Sequence, residues 1–370
     1  MVTTRDEAYM LDSLRLAARA RGKTSPNPMV GAVLVKEDRR IASGYHLRAG
    51  EPHAEAIAIR RAREHVRDST LYVNLEPCSH YGRTPPCASL IVKSGIERVV
   101  IGTIDPNPLV AGRGIAMMRE AGITVDVGVL EDHCRSLNEV YFKYITTGLP
   151  FVTLKLAQTL DGKIAAASGD SKWVTGEKAR TLAHRLRAES DVVLVGRNTL
   201  EKDDPQLTVR RVKPARPDRP LRVILDSALK TPPTAKVLAK GPCETIIVAT
   251  EGASSEREKA LKKAGASVIR TKSRDGRVDV EELLVLLAKR ELSSVLVEGG
   301  SEVAWEFVSR GLFDKVIFAF APKILGGRDS INSVSGRGFD AIADAVQLSI
   351  ARVQRLGEDV VITAYPLSGE

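Results

Sequence analysis

Apolar residues recur at helical spacing through YMLDSLRLAARARG (residues 9–22) and stop at Gly22, which predicts a first helix, with Thr4 and Glu7 as the capping box at its start. After it, short apolar runs alternate with helical patterns. Strands are predicted at VGAVLV (30–35), TLYVNL (70–75), RVVIGT (98–103) and TVDVGVL (124–130), and helices at HAEAIAIRRARE (53–64), CASLIVKSG (87–95) and GIAMMREAG (114–122). This alternation implies a mainly parallel α/β sheet covered on both faces. YFKYITTGLPFV (141–152), with Gly148 and Pro150, is the best boundary and divides the chain into 1–148 and 149–370. Beyond it, strands are predicted at FVTLKLA (151–157), DVVLVG (191–196), LRVILD (221–226), TIIVAT (245–250), SSVLVEGG (293–300) and KVIFAFAPKIL (315–325). Helices are predicted at 176–189, 278–291 and 302–311, and LSIARVQRLGEDVVITAYP (348–366) reads as a closing hairpin.

Composition agrees with two cores: 370 residues, 43% hydrophobic and 27% charged, are too many and too mixed for a disordered chain. No run is long and apolar enough to cross a bilayer, and MVTTRDEAYM is charged where a signal peptide would be apolar, so a cytoplasmic protein is expected. Four cysteines are too few for a disulfide scaffold, which leaves the thiols for metal or chemistry. A net charge of +9 suits a phosphorylated small molecule or a nucleic acid alike, but 4% aromatics offers no evident stacking platform for single strands.

The chemistry concentrates at HAE (53–55) and EPCSHYGRTPPC (76–87). His53 and Glu55 stand where one predicted helix opens and Cys87 where the next opens; the positive end of a helix favours thiolate there. With Cys78 they supply three ligands and leave a fourth position for water, the arrangement of a catalytic zinc site, with Glu55 as acid/base. This matches the zinc nucleobase deaminase signature, except that eight residues separate the cysteines where two are usual. His80 offers a substitute ligand, but Tyr81, Gly82 and Arg83 beside it read better as pocket wall or substrate contact.

TSPNPMVGAVLV, HAE, EPCSHYGRTPPC and GTIDPNPLVAGRGI resemble the deaminase half of the bifunctional riboflavin-biosynthesis deaminase/reductases, in which the long loop between the cysteines is usual. The resemblance implies a cytidine-deaminase-like three-layer α/β/α domain acting on a diaminopyrimidinone that carries a ribosylamino phosphate. It also implies zinc on His53, Cys78 and Cys87, a proton shuttle at Glu55, and Asn27, Asp105 and Asn107 near the pyrimidine. Asn-Pro and Asp-Pro are equally ordinary turn formers.

In the second half, Gly299 and Gly300 precede a predicted helix whose start could receive a phosphate, while no G-x-G-x-x-G follows a strand, so a Rossmann fold is not supported. LKLAQTLDGKIAAASGDSKWVTG, VGRNTLEKDDPQLTVR and VILDS resemble the reductase half of the same family, with a dihydrofolate-reductase-like α/β fold and NADPH as hydride donor. By that resemblance Ala157, Trp173, Thr199, Asp203, Ser227, Gly299 and Gly300 contact NADPH. Lys155, Ser171, Arg187, Leu207, Arg210 and Glu298 contact substrate, Arg187 and Arg210 having forked donors suited to a phosphate. His65, His133 and His184 show no partner pattern and read as surface or core residues; Cys134 and Cys243 read as small buried side chains.

The expected protein is a homo-oligomer acting on a small phosphorylated pyrimidine, with no nucleic-acid or membrane partner. Its rivals are an RNA deaminase with a C-terminal RNA-binding domain and a non-enzymatic zinc-stabilised binding module. The first is weakened by the long cysteine loop and few aromatics, the second by the purposeless Glu55.

Overall fold

The computed structural model describes residues 3–80 and 86–367, and the chain divides into two compact units, Met1–Leu149 and Pro150–Glu370. The first opens with α1 (Thr4–Ala17), whose N-cap is Thr3 and whose capping carboxylate is Asp6. The box therefore lies one residue before the expected Thr4 and Glu7, because Asp6 also has partners in the core: its carboxylate accepts from Arg98 Nη1 at 2.8 Å and Tyr72 Oη at 2.8 Å. Five strands follow: β1 (Gly31–Lys36), β2 (Arg39–Tyr45), β3 (Thr70–Val73), β4 (Arg98–Ile101) and β5 (Thr124–Val127). They are ordered β2-β1-β3-β4-β5.

Only β3, β4 and β5 run parallel; β1 is antiparallel to both neighbours. The sequence reading missed β2. Its burial is mostly partial, so no clear apolar alternation marks it, and it exists because Glu37 and Asp38 both adopt positive φ and reverse the chain in two residues. Alternating strand residues bury both sheet faces: Val33, Val35, Tyr72 and Val100 pack with Met10 of α1, while Ala32, Leu34, Leu71, Val73, Val99 and Ile101 pack on the other side. That second layer includes α2 (Ala54–Ala62), α3 (Cys87–Lys93) and α4 (Arg113–Glu120). After α5 (Glu131–Leu137), the boundary segment 141–152 is helical over its first half as part of α6 (Glu139–Thr147), and Gly148 ends the helix in the left-handed conformation.

The second unit is built on β6 (Phe151–Thr159), β8 (Val192–Gly196), β9 (Leu221–Leu225), β10 (Thr245–Thr250), β11 (Ser267–Thr271), β14 (Ser294–Val297), β15 (Lys315–Ala321), β17 (Leu348–Leu356) and β18 (Asp359–Pro366). Their order is β11-β10-β9-β8-β14-β6-β15-β18-β17, parallel from β11 to β15 and closed by the antiparallel hairpin β17–β18. Two short pairs stand apart from it, β7 (Lys163–Ala165) with β16 (Ile331–Asn332) and β12 (Ser273–Arg274) with β13 (Arg277–Val278). Its helices are α7 (Glu177–Glu189), α8 (Arg197–Asp203), α9 (Ser255–Lys263), α10 (Val280–Ala288) and α11 (Ser301–Ser309); α8, α9 and β11 are additions to the sequence reading. Buried Asp191 ties β8 to β14 by accepting the amides of Ser293 at 2.9 Å and Ser294 at 3.1 Å. No helix among the described residues is long and apolar enough to cross a membrane.

Asp6 gives the first unit a testable dependence. Against burial, which alone would raise it, hydrogen bonds from Arg98, Tyr72 and Thr3 hold its carboxyl well below the ordinary range. A carboxyl so depressed stabilises fully above its unfolded pKa of about 4 and loses that contribution as acid reaches its folded value. Asp6→Asn is expected to destabilise this unit by about 2–3 kcal/mol in denaturant unfolding at neutral pH, with a smaller difference in strong acid. A variant as stable as the parent at neutral pH would remove Asp6 from its structural role.

Candidate active sites

His53 caps α2 by position, but its side chain makes no capping hydrogen bond and is free for another use. Its Nδ1 lies 3.6 Å from Cys78 Sγ and 3.3 Å from Cys87 Sγ, and the possible ligand atoms of the three residues all fall within 4.8 Å of one another. Zinc bonds to imidazole and thiolate at tetrahedral angles put nitrogen and sulfur about 3.5 Å apart, so this donor set fits zinc. His80 is outside the cluster, and Tyr81, Gly82 and Arg83 lie outside the described residues.

The electrostatics divide the cluster, with one thiol drawn toward thiolate and the other held protonated. The Cys87 thiol and His53 pull Cys78 toward thiolate, and the Cys87 amide, at the start of α3, donates to Cys78 Sγ at 3.4 Å. The same thiol contact and burial push Cys87 up, while hydrogen bonding to Cys78 raises His53. Glu55, in the first turn of α2, is 3% exposed, and its Oε2 has no hydrogen-bond partner among the described residues. Burial pushes its carboxyl up, against the pull of His53.

Around this cluster, Asn27 Nδ2 lies 3.3 Å from His46 Nε2, and the His46 ring stands edge-on to His53 at 5.4 Å between centroids. Buried Asp105 accepts the Tyr141 hydroxyl at 3.0 Å, and burial pushes its carboxyl up to about 6. Asn107 spends its side-chain oxygen on the Leu109 amide at 3.0 Å, the turn role that the sequence also allowed. Sequence reasoning missed His46 and Glu76. Glu76 accepts amides from Asp105 at 3.3 Å, Gly112 at 3.0 Å, Gly114 at 3.0 Å and Ile115 at 3.3 Å, and so fixes the Asp105 loop to the start of α4. Its only sequence signal is its place beside Pro77-Cys78.

In the second unit, a cavity of about 1420 Å³ is lined by all the residues assigned to the second site. Ala157, Thr199, Ser227, Gly299 and Gly300 lie along it, the two glycines at φ +155° and +85° before α11. Positive φ suits glycine there, and the cradle beside a helix start fits the phosphates of a nicotinamide dinucleotide. Ser171 Oγ donates to Asp203 Oδ1 at 2.9 Å, and Trp173 is 64% exposed with Arg180 over its ring at 4.6 Å.

Arg187 donates both arms to Glu298, at 2.6 and 2.7 Å, in a nearly buried ion pair. Its fork is therefore occupied, contrary to the expectation of two forks for phosphate; Arg210 bonds neutral Gln206 at 2.6 Å on the cavity wall. Lys155 faces the Arg187–Glu298 pair, and burial pushes its amine down while Glu298 pulls it back. His184 shows no partner pattern in the sequence. It is buried and bonded, with Nδ1 accepting the Arg210 amide at 3.2 Å. Cys134 is fully buried, whereas Cys243 is only partly so.

Comparison with known proteins assigns both units. Residues 3–103 match the cytidine and deoxycytidylate deaminase zinc-binding region, and residues 150–362 match the RibD C-terminal domain. The second match replaces the RNA-binding alternative for that half. The riboflavin biosynthesis protein RibD of Aquifex aeolicus is 45% identical, covering 98% of this chain and 99% of its own, and that of Bacillus amyloliquefaciens is 44% identical, covering 99% and 97%. Acinetobacter baumannii RibD, form 1, superposes with a TM-score of 0.86 at 37% identity over 98% of this chain and 99% of its own. A Thermotoga maritima diaminohydroxyphosphoribosylaminopyrimidine deaminase/5-amino-6-(5-phosphoribosylamino)uracil reductase does so with a TM-score of 0.86 at 38% identity, over 98% and 99%. A deaminase zinc-binding region followed by the RibD C-terminal domain, matched over nearly the full length by such relatives, shows that the chain belongs to the RibD family of bifunctional riboflavin-biosynthesis deaminase/reductases.

Proposed function

We propose that the first unit deaminates a diaminopyrimidinone carrying a ribosylamino phosphate, and that the second reduces the ribosyl group of the product to ribityl with NADPH. The observation that carries the reading is Glu55: a buried carboxyl with one oxygen that has no partner among the described residues, beside a His-Cys-Cys donor set. His53, Cys78 and Cys87 would hold zinc, which when bound supplies a Lewis acid that makes water acidic enough to attack near neutral pH. Glu55 Oε2 accepts the proton of the attacking water and returns it to the departing amine, so that a ring C–NH2 and water become a carbonyl and ammonia. Its raised pKa suits a group that must both take and give a proton. Asn27 and Asp105 border this site and orient the pyrimidine; Asn107 shapes the turn beside them.

In the second unit, NADPH would supply hydride to sugar C1. Gly299, Gly300, Thr199 and Ser227 bind the dinucleotide, with Ala157, Trp173 and Asp203 at its sides. Arg210 attracts the substrate phosphate, and Ser171, Leu207 and the Arg187–Glu298 pair shape the sugar end. Lys155, whose amine is pushed down by burial, gives its proton to the sugar ring oxygen as the C1–O bond breaks. The protein is read as a cytoplasmic homo-oligomer that takes a small molecule and not a nucleic acid, and the open cavity of the second unit has room for such a molecule.

Glu55→Gln is expected to keep one zinc per chain by elemental analysis while deamination falls by about 10²–10⁴-fold; full turnover would remove Glu55 from the mechanism. Lys155→Met is expected to lower the kcat of reduction by about 10²–10⁴-fold with deamination and NADPH affinity retained. Unchanged reduction would place the proton donor elsewhere.

A further inference from the structure

The segment around Leu207 and Arg210 carries strain and must be fastened. Leu207 is almost fully buried yet has φ +52°, a left-handed conformation that a leucine resists. Two hydrogen bonds from α7 hold the segment: Arg187 Nη1 donates to the Thr208 carbonyl at 3.2 Å, and His184 Nδ1 accepts the Arg210 amide at 3.2 Å. The first anchor is itself rigid, because Arg187 is locked to Glu298.

We infer that His184 is a positioning residue of the reductase site: its neutral imidazole, by accepting the Arg210 amide, keeps Arg210 on the cavity wall where an anionic substrate group binds. This rests on the reading of Arg210 as the phosphate contact. An imidazole whose Nδ1 accepts must carry its proton on Nε2, and protonating Nδ1 turns the acceptor into a donor facing another donor. The surroundings keep the ring neutral. Burial comes first, then the positive charges of Arg187 and Arg210, with Arg211 adding to them; Glu298 opposes but is already paired with Arg187, and Lys155 faces that same pair. Together they push His184 down to about 4, so the fastening holds at neutral pH and fails only in acid.

Side-chain geometry supplies the test. Asn places its amide oxygen near the position of Nδ1, Gln places its own near Nε2, and Leu offers no acceptor. Reduction of the deaminated substrate by the full-length chain should show a KM for that substrate about tenfold higher in His184→Leu and His184→Gln, since a partly buried amide loses its acceptor. Their kcat at saturation and KM for NADPH should stay within about twofold, and His184→Asn should return the substrate KM toward the parent value. His184→Asn as impaired as His184→Leu would overturn the inference, because the ring would then be only filling space. So would an equal rise in the KM for NADPH, which signals a collapsed cavity. Arg210→Ala separates the two claims: an unchanged substrate KM there defeats the phosphate reading itself, whereas a raised KM with indifferent His184 variants defeats only the role of His184.

Discussion

Desolvation of charged side chains is the constraint on which both sites depend. A carboxylate taken out of water must be given partners or it becomes protonated and reactive. Two glutamates near the His53-Cys78-Cys87 cluster show both solutions. Glu76 is surrounded by backbone amides and serves as a fastening for the Asp105 loop; Glu55 keeps one oxygen with no partner among the described residues. The same division recurs in the second unit. Glu298 is satisfied by both arms of Arg187, and that compensated pair leaves Lys155 and His184 as the groups that burial drives toward neutrality.

Helix starts set where these groups sit. His53, Glu55 and Cys87 occupy the first turns of α2 and α3, where the chain leaves the sheet and side chains can converge over its end. In the second unit two glycines stand directly before α11 and leave its backbone start open to the cavity. Each unit thus brings a helix start to its candidate site, and the packed layers below supply rigidity.

Much of this was legible in the sequence, for identifiable reasons. The β3, β8 and β10 segments are buried on both faces, so their apolar runs stand out, and the H-x-E and Pro-Cys motifs place metal-binding residue types where they signal strongly. What escaped depends on partners distant in sequence. β2 is formed by a two-residue turn and a neighbour, not by its own alternation. The capping pair moved to Thr3 and Asp6 because Arg98 lies 92 positions away from Asp6 in sequence and next to it in space. His184 gave no motif, since its partner is a backbone amide 26 residues on, and a backbone amide has no letter in the sequence. The fork of Arg187 is taken up by Glu298, which lies 111 positions away in sequence and is invisible there.

The central claim is that one chain carries out two successive reactions on one substrate, and product analysis tests it most directly. Purified zinc-replete protein would be given the diaminopyrimidinone ribosylamino phosphate with and without NADPH, and the products followed by mass spectrometry. The account predicts the deaminated product alone without NADPH, and the deaminated and reduced product when NADPH is present. Failure to form either product with folded, zinc-loaded protein would contradict it.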